Sequence, residues 1–91
     1  MAQTKNVKVS EQEYTLQKLP VMEALKLRER CRKQGDLDTI RFYTELLEHV
    51  VISPKTTIDS FEDTMDLEDL MKEVISYQYG RKGKLGNEEN N

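Results

Sequence analysis

The stretch from Leu67 to Gln78 constrains this chain most. Leu67, Leu70, Met71, Val74, Ile75 and Gln78 recur at three- and four-residue intervals, with charged residues between them. Side chains at that spacing share one face of an α-helix, and an apolar face must be buried against another element. The pattern predicts a helix that opens after Thr64 or Asp66, with Thr64 and Leu67 or Asp66 and Asp69 as cap frames, and that closes in a left-handed C-cap at Gly80. A second segment repeats the period: Tyr43, Leu46, Leu47 and Val50 fall at i, i+3, i+4 and i+7, with Ile40 and Phe42 beside them. Either Asp36 or Asp38 can cap it, which predicts a core helix from about Thr39 to Val50 or Val51. Pro54 pushes Ser53 out of helical geometry, so the chain turns there.

Upstream, Pro20 suits the first turn of a helix, and no Pro or Gly follows until Gly35, which predicts a first helix over 20–34. Its apolar positions, Val21, Met22, Ala24, Leu25, Leu27 and Cys31, form an untidy stripe. Lys26, Arg28, Arg30, Arg32 and Lys33 lie toward its C-terminal end, where cations oppose the negative pole of the helix dipole. Before it, Val7–Val9 and Tyr14–Leu16 alternate apolar with polar residues across a polar turn and read as a β-hairpin within residues 5–17. A hairpin alone is marginal in water, so Val7, Val9, Tyr14 and Leu16 should lie on the helices. The linker from Pro54 to Thr64 carries two apolar anchors, Ile58 and Phe61. The fold expected is mainly α (α+β): a hairpin, then a small three-helix domain over residues 1–79, then a disordered tail over 80–91, where Leu85 is the one apolar residue.

At 91 residues a domain buries roughly 60 to 65% of its unfolded surface. A net charge of −3 with 34% charged residues describes a mixed-sign surface, which argues against a dedicated nucleic-acid or membrane binder and for protein partners. The longest apolar run, Val50 to Ile52, is far short of the roughly 20 residues of a membrane span, and the first residues carry no apolar signal core. The expected location is the cytoplasm. One cysteine, Cys31, rules out an intrachain disulfide.

Chemistry finds little to work with. One histidine, one cysteine and no glycine-rich phosphate loop argue against an enzyme, and nothing requires a cofactor or metal. His49, four residues after Glu45, reads first as a packing or capping residue, and Cys31 as a small hydrophobe. The acids from Asp59 to Glu73 lack the glycine of a calcium loop and suit a helix N-terminus. Arg28, Arg32 and Lys33 oppose Asp63, Asp66 and Asp69 in sign. These two patches can attract each other within a chain or head-to-tail between copies, which makes a homo-oligomer an open expectation.

The order KNVKVSEQEYTLQKLPVMEALKLRERC, then DLDTIRFYTELLEHVVISPKTTIDSFED, then DLEDLMKEVISYQYG resembles the small tail assembly chaperones of siphophages and related prophages of Gram-positive bacteria. The likeness covers about residues 7 to 80 and rests on fold signals: an E-Y-T-L strand, a Y-x-x-L-L-E-H-V-V-x-x-P-K segment and an acidic F-x-D link. It implies a protein of the host cytoplasm that binds the helical tape measure protein, keeps it soluble, helps recruit tail tube protein and leaves as the tube forms. It also implies a longer frameshifted product, for which codons of Lys82-Gly83-Lys84 would supply the slippery run. On this resemblance the tape measure meets Met22, Leu27, Phe61, Met65, Tyr77 and Tyr79. The alternative from another class is a small regulatory nucleic-acid-binding protein that uses the basic helix 20–34 for recognition.

Overall fold

A computed structural model of the protein describes residues 3–80. The expected tail, apart from Gly80, and the Lys82–Lys84 run lie outside the described residues.

The chain opens with antiparallel strands β1 (Thr4–Val9) and β2 (Gln12–Gln17), paired from Thr4 opposite Gln17 to Val9 opposite Gln12. Val7, Val9, Tyr14 and Leu16 are all buried, so the alternation reads out as predicted. Ser10 (φ 46°) and Glu11 (φ 70°) make the turn. Two central residues with positive φ give the type I′ geometry that matches strand twist, yet neither is glycine.

Helix α1 spans Val21–Arg30 and stops short of the expected 34. Cys31 (φ −94°, ψ 8°) leaves helical geometry, and the chain enters a miniature hairpin, β3 (Arg32–Lys33) and β4 (Asp36–Leu37), turned by Gln34 (φ 53°) and Gly35 (φ 88°). Gly35 adopts that backbone without a Cβ clash. The Asp38 N–H donates to the Cys31 carbonyl at 2.7 Å and closes the base of this hairpin.

Asp38, not Asp36, caps helix α2 (Thr39–His49): its carboxylate accepts the Arg41 N–H at 3.2 Å. The apolar run after α2 does not continue the helix. Val51–Ser53 forms β5, antiparallel to β2, in a sheet ordered β1-β2-β5. The β-branched pair Val51 and Ile52 suits that conformation. A 3-10 turn at Ile58–Ser60 leads to helix α3 (Thr64–Gln78), capped by Asp63, which accepts the Met65 N–H at 2.9 Å, so neither predicted cap frame is used. The cap at its far end is Tyr79 in a right-handed conformation (φ −114°, ψ −26°) instead of a left-handed Gly80.

Leu16, Leu27, Leu46, Leu47, Val50, Val51, Leu70, Met71 and Val74 form the solvent-free centre between sheet and helices. Burying each such side chain stabilises the fold by about 1.5–3 kcal/mol before entropy is counted. Gln78 is buried but satisfied: its Oε1 accepts the Leu19 N–H at 2.7 Å and its Nε2 donates to the Leu19 carbonyl at 3.1 Å. The start of α3 meets the β1–β2 turn, where Ser10 Oγ donates to Asp66 at 2.7 Å. Its end meets α1, where the Tyr79 hydroxyl donates to the Ala24 carbonyl at 2.6 Å.

Candidate interaction surface

The core side of α1 is set by Ala24, Leu27 and Cys31, at i, i+3 and i+7. Val21, Met22 and Leu25 are phased elsewhere on the cylinder and are 74%, 61% and 40% exposed. At i, i+1 and i+4 they form one apolar stripe with an area on the order of a few hundred Å², comparable to the largest apolar patch of a typical monomer, which is often functional. Leu37 and Ile40 make a smaller exposed pair around the start of α2, and Met65, 62% exposed, stands at the start of α3.

The six residues expected to meet a partner do not form one patch. Met22 and Met65 are open to solvent, but a 15-residue α3 of about 22 Å separates the two regions they occupy. Leu27 is 1% exposed and belongs to the core, which corrects its assignment to a surface. The stripe reading set the wrong phase for α1: Leu25 is the exposed leucine. Phe61 is half-buried and stacks on Tyr14 at 6.4 Å. Tyr79 packs on Phe42 at 5.7 Å under the Arg28 guanidinium, and burial pushes its phenol above the ordinary 10.0. Tyr77 is half-buried beneath Lys18 and Lys5, whose ammonium groups lie 5.2 and 5.8 Å from its ring centre.

The opposed charge sets are also separate. Arg28 covers Tyr79, Arg32 bonds Glu29 at 3.2 Å, and Lys33 is exposed on β3. Asp63 caps α3, Asp66 accepts from Ser10, and Asp69 lines a recess with Lys8 and Lys72. No ion pair joins the two sets among the described residues. The helical part of the basic segment ends at Arg30, which is held by Glu45 at 2.8 Å, and Arg32 and Lys33 lie beyond it on β3.

A groove of about 730 Å³ runs between the second half of α2 and residues 55–60 and includes His49. His49 Nε2 lies 3.3 Å from Glu45, and Lys55 donates to the carbonyls of Glu48 (2.7 Å) and Val51 (3.3 Å). Both side chains thus sit at the C-terminal end of α2, where Lys55 covers main-chain carbonyls. Cys31 is buried, and burial together with Glu45 pushes its thiol up, away from the reactive thiolate. No group of three or more potential metal ligands occurs among the described residues. No described helix is long and apolar enough to cross a membrane.

Compared with protein-family models, curated proteins and solved structures, the chain matches none.

Proposed function

We propose that this protein is a non-enzymatic tail assembly chaperone of the siphophage type, acting in the host cytoplasm. It holds helical stretches of the tape measure protein in solution, helps gather tail tube subunits around them, and is absent from the finished tail. The observation that carries this reading is the exposed stripe of Val21, Met22 and Leu25, taken with the sequence resemblance over residues 7 to 80. An amphipathic partner helix buries its apolar face on such a stripe, and the flexible thioether of Met22 adapts to varied side chains along a long partner. A contact this small is weak and reversible, which suits a holder that must let go. The nucleic-acid reading is the weaker one, because the basic segment breaks at Arg30 and Arg28, Arg30 and Arg32 are already engaged.

Co-expression with the large helical tape measure protein of the same genome tests the proposal. The expected result is a soluble complex in which Met22→Ser with Leu25→Ser abolishes capture while leaving the melting temperature nearly unchanged. A tape measure protein that stays equally insoluble with and without this chain ends the proposal, and full capture by the double variant removes the stripe from it.

A further inference from the structure

We infer that β1 is a self-complementary edge through which two copies of this chain pair into one continuous six-stranded sheet. Among the described residues β1 has a strand neighbour on one side only, β2. In a two-residue hairpin closed by the Val9–Gln12 pair, the hydrogen-bonded positions of β1 are the odd ones. The Lys18 N–H to Gln3 carbonyl bond at 3.0 Å keeps that phase, and the Gln17 N–H, opposite Thr4, turns away to Val50 at 2.8 Å. The main-chain groups of Thr4, Asn6 and Lys8 therefore face outward from the sheet, a row of donors and acceptors that templates another strand. The opposite edge of the sheet is different: β5 has three residues, and Lys55 occupies its Val51 carbonyl.

The occupant is a second copy because the edge matches itself. Antiparallel pairing centred on Asn6 sets Thr4 opposite Lys8 of the second copy and keeps all lysines from facing one another, as cross-strand pairing requires. It also supplies charge complementarity. Lys5 lies on the α3 side of the sheet, where its ammonium stands over Tyr77, and pairing sets Lys5 of the second copy opposite Val7. That is beside the α3 flank bearing Asp69 and Glu73, which line a recess of about 270 Å³ with Lys8 and Lys72, and the incoming ammonium pairs with these two carboxylates. This arrangement is isologous and closes at two copies, unlike the head-to-tail contact of opposed patches. Its interface is small, so the dimer is reversible.

Sedimentation of the purified chain over a wide concentration range, with amide exchange on the same samples, tests this. The expected result is a rise from the 10.7 kDa monomer to twice that mass, with slowed exchange at Thr4, Asn6 and Lys8 as concentration rises. Asn6→Pro removes an outward N–H that the fold does not use, together with the exposed 2.9 Å bond that the Thr15 hydroxyl donates to Asn6 Oδ1, and should stay monomeric with an unchanged circular dichroism spectrum. If that variant fails to fold, Asn6→Lys decides: it places like charges on the twofold axis, and should dimerise in high salt but not in low. A wild-type chain that stays monomeric throughout overturns the inference, even if another extended chain pairs with β1. So does a dimer that leaves those three amides unprotected, or one that a folded Asn6 variant does not weaken.

Discussion

Replacing Glu11 with glycine should stabilise this protein, and the size of the gain follows from its hairpin turn. Glu11 sits at φ 70°, in the left-handed region where an L side chain with a Cβ is strained by about 1–2 kcal/mol. Glycine removes that strain but adds freedom to the unfolded chain, which costs about 0.4–1 kcal/mol in return. Glu11 is exposed, and no side-chain hydrogen bond of its own is lost. The net gain for Glu11→Gly is about 0–1.6 kcal/mol with a midpoint near 0.8, and that midpoint in a domain of this size raises the melting temperature by about 3–6 °C. The neighbouring change Ser10→Asn relieves the same kind of strain at φ 46° but gives up the 2.7 Å bond from Ser10 Oγ to Asp66, so it should be near neutral. Thermal melts of the two variants beside the wild type, followed by circular dichroism, read both. A lowered melting temperature for Glu11→Gly would refute the reasoning, because it would mean that the turn carries less strain than the freedom glycine adds to the unfolded chain.

Leu27→Ala, which opens a cavity at a core position, should cost about 2–5 kcal/mol in urea unfolding, whereas Met22→Ser on the same helix should stay within about 0.5 kcal/mol. Near-equal costs would return Leu27 to the surface. Tyr14, Tyr43, Tyr79 and Cys31 all have their pKa values raised, chiefly by burial. The folded state therefore holds protons that the unfolded state releases first, and this stability is complete below the ordinary 9.0 of a thiol and 10.0 of a phenol. Stability should fall progressively as pH rises past 9 and should not fall between pH 6 and 8 for this reason. Tyr79→Phe, which loses the hydrogen bond to Ala24, should melt lower at neutral pH but lose less on going to alkaline pH than the wild type.

The elements were legible wherever one local signal dominated. The period of Leu67, Leu70, Met71 and Val74 and that of Tyr43, Leu46, Leu47 and Val50 gave α3 and α2 to within a residue or two, and alternation gave β1 and β2. What sequence did not show was decided at longer range. Three residues are too few to announce a strand, and β5 exists because Leu16 and Thr15 lie across from Val51 and Ser53. The end of α1 depended on the Gln34–Gly35 turn and on the Asp38 to Cys31 bond, so glycine marked the tip of a hairpin and not the stop of a helix. The same competition misplaced part of the surface. α1 offers apolar residues around much of its circumference, and only packing against α2 and α3 decides that Leu27 goes in and Leu25 stays out. Met22, read as off the main stripe of the first helix, and Met65, read as part of the link, are both exposed. Tyr77 and Tyr79 were read as free because their rings end the helix, yet lysines, Arg28 and Phe42 cover them.

The Gln78 clamp has a topological consequence. It ties the last turn of α3 to Leu19, while the adjacent Lys18 N–H holds Gln3, so the two ends of the described chain are stitched to neighbouring residues of one short connector. The described part of the chain is almost a closed loop. A circular permutant that joins these ends through a brief linker and reopens the chain between Gln34 and Gly35 keeps every core contact. The last described turn of α3 thus lies against the first turns of α1, where the Tyr79 hydroxyl meets the Ala24 carbonyl.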